Sequence, residues 1–166
     1  RSFTLSVNYR TPAQIMEASS GVLAEINPTA QQPRSIRRSA YDVELIDRAD
    51  NTWLVVLQQT VHHMQNFHPG EKRTCGILVS PAVMGDLQAV MDTTILDRTV
   101  LDAAVSLVQD AKGLEFDYVI IADPVGMVEA SPQGLNDLFV AMTRATQALA
   151  IVHDGAVPYC LSDLVE

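Results

Sequence analysis

Two arginines, a lysine and a carboxylate stand where ordered elements end, which is where side chains are free to do chemistry. Arg10 follows Asn8 and Tyr9 just beyond a strand-like stretch, and Arg144 ends a helical run. In phosphoryl transfer, negative charge builds on the γ-phosphate oxygens. A guanidinium supplied from a second domain stabilises that charge, an effect worth roughly 10³ to 10⁵ in rate. Arg10 and Arg144 are the candidates for such work, although on spacing alone each reads first as a structural arginine paired with a carboxylate. Lys112 and Gly113 combine a cation with backbone N–H groups beside a glycine, a small anion site. The alternative there is a solvated lysine. Glu115, just after the Gly113 bend, reads on its own as a turn carboxylate.

Other chemistries lack support. No G-x-x-x-x-G-K-[ST] run exists, so the chain cannot cradle nucleotide phosphates in the P-loop manner and is not a complete NTPase. His62, His63 and His68 invite a metal reading. However, adjacent His62 and His63 point to different helix faces, and no carboxylate or cysteine stands at ligand spacing, so no metal is expected. Cys75 and Cys160 stand alone and are assigned buried apolar roles.

Short β-branched runs alternate with amphipathic stretches, the pattern of an α/β fold on a mostly parallel sheet. Strands are expected at Phe3 to Val7, Val43 to Ile46, Gly76 to Ser80, Ala104 to Val108, Tyr118 to Ala122 and Ala148 to Val152. Helices are expected from Thr11-Pro12, with Thr11 as N-cap and Gln14 completing a capping box, from Thr52 to Asn66, from Ser80-Pro81 and from Ser131-Pro132. Their apolar stripes run through Ile15, Ala18, Val22 and Ile26, through Trp53, Leu57, Val61 and Met64, through Val83, Leu87 and Val90, and through Leu135, Leu138, Phe139 and Met142. Asn27 to Ser39 reads as an exposed loop, and a second loop runs through Asp97. Arg34, Arg37 and Arg38 in the first loop form the one basic cluster, read as a solvated loop or as a contact for phosphates or an acidic partner. The whole is a doubly wound layer sandwich with ligands expected beyond the strand ends.

The 166 residues, 48% hydrophobic and 19% charged, suit one domain with a proper core, residues 1–166. There is no initiator methionine, no apolar leader and no run fit to span a membrane, so a soluble, cytoplasmic fragment of a larger protein is expected. A net charge of −9 argues against a free-standing grip on nucleic acid, so any DNA contact must be local or shared.

Three segments carry a family resemblance. Leu5 to Pro12, with Asn8-Tyr9-Arg10, resembles helicase motif IV. Ala111-Lys-Gly-Leu-Glu-Phe-Asp117, followed by Tyr118 to Ala122, resembles motif V of UvrD/Rep-type superfamily 1 DNA helicases. Leu138 to Ala145, leading into Ala148 to Val152, resembles motif VI. All three occur in the family's order and span nearly the whole chain, so the chain looks like the C-terminal RecA-like (2A) motor domain, a P-loop NTPase-type fold without its P-loop.

That resemblance reverses the reading of the arginines. It implies that Arg10 and Arg144 reach across an interdomain cleft to the γ-phosphate of ATP, that Tyr9 stacks on the adenine, and that Glu115 accepts from the ribose hydroxyls. Taken without the resemblance, Tyr9 is equally a surface ring over the sheet edge. Lys112 and Gly113 become contacts to the phosphates of DNA, mainly single-stranded. The implied partner is an N-terminal P-loop domain of the same protein that holds ATP with Mg. The implied activity is an ATP-dependent DNA helicase or helicase-like ATPase, moving 3'-5' by resemblance. A recombination or repair helicase subunit, or a non-catalytic interaction domain with a decayed ATP site, are the alternatives.

Two departures matter. The family usually has a threonine and a histidine five and three residues before the motif V lysine, where this chain has Leu107 and Gln109. Leucine cannot hydrogen-bond a phosphate, which weighs against ordinary strand tracking. The accessory domain often inserted between motifs IV and V is also missing from this segment. Both features resemble the RNA polymerase-associated branch known as HelD, which makes RNA polymerase an expected partner.

Overall fold

The most apolar runs of the sequence become the middle of a sheet. A computed structural model describes residues 7–8, 10–31, 34–35, 37–93 and 103–165. Strand β4 (Cys75–Val79) is buried at every position, β6 (Phe116–Ala122) over its last five, and β7 (Ala145–His153) from Ala148 to Val152. With β3 (Glu44–Asp47) and β5 (Ala104–Ser106) at the edges, the order is β3-β7-β6-β4-β5 and every pairing is parallel. Strands covered on both faces have no polar side to show, which is why they read as continuous rather than alternating apolar runs.

Successive residues of β6 point to opposite layers. Tyr118 and Ile120 meet Val56, Leu57, Val61 and Met64 of α2 (Trp53–Gln65) and Val83 and Leu87 of α3 (Pro81–Thr93). Val119 and Ile121 meet Ile15 and Val22 of α1 (Ala13–Ile26), Met127 of α4 (Pro124–Glu129), and Leu138 and Met142 of α5 (Gly134–Met142). This is the α/β, RecA-like architecture: an all-parallel sheet between two helical layers. Among the described residues no helix is long and apolar enough to cross a membrane.

Polar side chains at the strand exits set where helices begin. The Thr52 hydroxyl accepts from the Val55 N–H at 3.3 Å, and the Ser80 hydroxyl accepts from the Val83 N–H at 3.2 Å. Ser80 also donates to Asp123 at 2.6 Å, tying the exits of β4 and β6 together. Asp123 holds a left-handed backbone, φ 65°, and caps α4 through the Gly126 N–H.

Several expectations change. Helix α1 starts one residue past Pro12, which occupies the cap position without any side-chain capping bond. Gln14 closes no capping box, because its amide is used elsewhere: it donates to the Ser39 carbonyl at 2.5 Å and accepts the Ser39 N–H at 3.0 Å. Of the first expected strand, 3–6 lie outside the described residues. Val7–Asn8 (β1) pairs in parallel with Arg34–Ser35 (β2) as a separate two-stranded ribbon, so the expected loop from Asn27 to Ser39 contains a short strand and, among the described residues, the main sheet has five strands. Helix α4 was not expected, although Asp123-Pro124 offers the same cap-then-proline signal as Ser80-Pro81. Ser131-Pro132 instead belongs to the turn before α5. The strand expected to Val108 stops at Ser106, and Val108–Ala111 forms a 3-10 turn. Val90, expected inside, is 40% exposed. The end of the expected loop through Asp97 lies outside the described residues.

Candidate functional site

Parallel pairing decides which loop residues become neighbours. Phe116 opens β6 and Ala145 opens β7, and the two face each other in register. The Phe116 N–H donates to the Arg144 carbonyl at 3.0 Å. Glu115 and Arg144, each one residue before its strand, therefore stand side by side although one follows a turn and the other ends a helix. Arg10 joins them from the entry to α1, its Nη1 donating to Glu115 Oε1 at 2.8 Å. The nearness of Glu115 to both the Arg10 side chain and the Arg144 backbone, which no spacing in the sequence dictates, is thus a product of the fold. It lies at the amino ends of β6 and β7, the opposite edge from the carboxyl ends where open α/β sheets usually bind ligands.

The two arginines differ in their surroundings. The Arg10 pair is solvent-exposed, with side chains 77% and 39% accessible. Arg144 is half-buried, its Nε is covered, and among the described residues no hydrogen bond or ion pair meets its guanidinium. Among the described residues, then, no carboxylate is paired with Arg144. Arg10 is carboxylate-paired, and its partner is Glu115, the residue implied to meet the ribose. Tyr9 lies outside the described residues.

The motif before β6 divides its labour residue by residue. Lys112 and Gly113 form the middle of a turn closed by the Leu114 N–H donating to the Ala111 carbonyl at 3.0 Å. Lys112 at φ −59° and ψ 131° followed by Gly113 at φ 80° is a type II turn, which needs the glycine. Both residues are exposed, as the anion-site reading requires. Glu115 turns to Arg10. Phe116 lies against Gly76, where an added Cβ would stand 2.6 Å from the ring. Asp117 accepts from the Thr74 N–H at 2.9 Å while the Thr74 hydroxyl accepts from the Asp117 N–H at 2.9 Å, so the carboxylate fixes the entry of β4 beside β6. Arg73 pairs with Glu71 and with Asp117. The hydrogen bond to Glu71, with the nearby carboxylates, pushes its guanidinium further up.

Leu107 and Gln109 are at the other edge of the sheet. Together with Val79, Pro81, Met127 and Asp137 they line a pocket of about 110 Å³ past the carboxyl ends of β4 and β5. The histidines go separate ways: His63 meets Glu44 at 3.0 Å, and His68 Nδ1 meets the Tyr118 hydroxyl. No cluster of His, Cys, Asp or Glu fit for a metal is found among the described residues. Cys75 is buried; Cys160 is half-buried, and burial pushes its thiol up.

The basic loop holds the feature that sequence reasoning missed. Arg37 Nη2 donates both to the Arg10 carbonyl, at 2.5 Å, and to the Thr146 carbonyl. Its own carbonyl accepts the Ala13 N–H at 2.8 Å. Ser39 donates to the Gln147 carbonyl at 2.6 Å. Arg38, beside it, makes an exposed pair with Glu17 at 3.3 Å. Nothing in the local sequence separates Arg37 from Arg38.

Comparison with known proteins bears on this geometry. Residues 102–152 match the family model of the UvrD-like helicase C-terminal domain, which takes in Lys112, Gly113, Glu115 and Arg144 but not Arg10. No curated protein matches the chain. Among solved structures, the C-terminal domain of a possible DNA helicase from Lactobacillus plantarum WCFS1 is similar over 93% of this chain and 92% of that one, with a TM-score of 0.57 and 20% identity. At that identity the likeness establishes the fold. The helicase C-terminal resemblance lies in the segment match, and the structural likeness is one of fold; neither bears on the HelD branch.

Proposed function

We propose that the chain is the C-terminal motor domain of an ATP-dependent DNA helicase or helicase-like ATPase, forming the lid of a nucleotide site whose floor is a P-loop domain of the same protein. The observation that carries this reading is the nearness of Glu115 to the Arg10 side chain and to the Arg144 backbone at the amino ends of β6 and β7, with the Arg144 guanidinium meeting no partner among the described residues. Two guanidinium groups and one carboxylate suit a nucleotide better than a metal, so the P-loop domain is the holder of Mg in this reading. Bound ATP supplies the phosphoryl group. Arg144 and Arg10 offset the charge on its terminal oxygens, Glu115 accepts from the ribose, and Tyr9 is assigned the adenine. Binding requires Arg10 and Glu115 to exchange each other for the nucleotide, a small cost for an exposed pair. Closure of the lid then couples hydrolysis to movement along DNA, with Lys112 and Gly113 against the phosphates.

The chain alone should release no phosphate from ATP above a buffer blank, and activity should appear only together with the P-loop portion. Hydrolysis by the chain alone that disappears in Arg144→Ala would defeat the half-site reading.

A finer reading concerns the substrate. Leu107 packs against an apolar layer and offers no donor to a strand, and the chain carries a net charge of −9. These support action on a DNA-bound machine, with RNA polymerase as the expected partner, over processive unwinding of naked duplex. Robust strand displacement on a tailed duplex with no polymerase recovered in a pull-down would instead support a repair helicase.

A further inference from the structure

We infer that Arg37, which lies in none of the three motif segments, is a positioning residue that sets Arg10 relative to Arg144; the inference rests on the two-arginine reading above. Its Nη2 donates to two carbonyls at once: that of Arg10 itself and that of Thr146, two residues past Arg144. The backbone of Arg37 adds a third tie by accepting the first N–H of α1, from Ala13. Two residues on, Ser39 repeats the pattern, exchanging hydrogen bonds with the Gln14 amide in α1 and donating to Gln147 in β7. The stretch from Arg37 to Ser39 is therefore a clasp between the start of α1, which carries Arg10, and the start of β7, which follows Arg144. Arg144 is fixed on its other side by the Phe116 N–H.

The ion pair of Arg10 with Glu115 is exposed and exchangeable, so that pair does not place the residue firmly. A charged donor shared between two main-chain carbonyls does, because each bond is charge-assisted and a planar guanidinium loses little freedom in making them. Positioning matters here because charge stabilisation depends on where the guanidinium stands when the γ-phosphate departs, and a displacement of about 1 Å can cost 10²-fold in rate. Lysine at position 37 keeps a charge and donors but lacks the rigid planar group that fixes their directions.

The test is a steady-state ATPase comparison in the complete protein. Arg37→Ala should lower kcat by about 10-fold or more with KM for ATP changed less, Arg37→Lys should recover part of that loss, and Arg38→Ala should leave turnover unchanged. In an Arg10→Ala background, Arg37→Ala should cost less than about 2-fold, since the residue it positions is already gone. Equal losses from Arg37→Ala in both backgrounds would mean a general effect on the fold and would overturn the inference, as would near-normal turnover of Arg37→Ala. If Arg37→Ala does not fold, Arg37→Lys carries the same cycle against Arg10→Ala. If Arg10→Ala and Arg144→Ala themselves turn over normally, it is the two-arginine reading that fails. If they are slow while Arg37→Ala is not, that reading stands and the clasp alone is lost.

Discussion

Arg10 and Glu115 are 105 residues apart in the chain and 2.8 Å apart in space, and the contact joins the first functional segment to the second. In the proposed nucleotide site, each residue would exchange this partner for ATP. Because both side chains are exposed, the pair contributes about 0 to 1 kcal/mol, so Glu115→Ala should leave the unfolding midpoint almost unchanged. In the complete protein the same substitution should raise KM for ATP by about 10-fold and reduce discrimination against nucleotides lacking a ribose hydroxyl. Unaltered discrimination between ATP and its deoxy form would leave Glu115 a turn carboxylate.

The turn before Glu115 makes a backbone prediction. Gly113 sits at φ 80° with nothing within 4 Å of where a Cβ would project. Gly113→Ala should therefore cost about 1 kcal/mol through conformation rather than collision, and Gly113→Asn less, since asparagine tolerates the left-handed region. Denaturant midpoints of the two variants check this, and equal stability of wild type and Gly113→Ala would contradict it.

Tyr118 predicts a loss of stability at high pH. Burial pushes its hydroxyl above the ordinary tyrosine value, against a smaller opposing pull from Arg73. The folded state then holds the proton more tightly than the unfolded one, so its contribution is complete below about pH 10 and declines as pH rises through the folded value. Cys160, pushed up mainly by burial, has the same sign from about pH 8.5, so the comparison belongs in a Cys160→Ala background. There, Tyr118→Phe should flatten the decline above pH 10, while costing about 1 kcal/mol at neutral pH because His68 loses its partner. Parallel pH profiles with and without the hydroxyl would contradict this.

The layer architecture was legible because burial on both faces writes itself as uninterrupted runs such as Ile77 to Val79 and Val119 to Ala122. Ser80 was legible as a cap because capping is local. Gln14 was not, because its amide is used by Ser39, 25 residues away. The same reason hid the role of Arg37: its carbonyl partners, Arg10 and Thr146, are far off in sequence, and a hydrogen bond to a carbonyl leaves no mark on the partner's identity. The short α4 was readable from Asp123-Pro124 and was overlooked because six residues show little periodicity. Individual candidate residues could be picked out by type, whereas their meeting depends on the β6 and β7 register, which spacing does not encode.

Arg144 bears most of the account, because its half-buried guanidinium meets no carboxylate among the described residues. The most direct measurement is kcat and KM for ATP hydrolysis by the complete protein carrying Arg144→Ala or Arg10→Ala, with thermal melts beside them. The account predicts that kcat falls by about 10² or more in each, with KM changed much less and the melts close to wild type, since charge stabilisation acts on the transition state. Near-normal kcat in both folded variants would contradict it and leave the two arginines as parts of a scaffold.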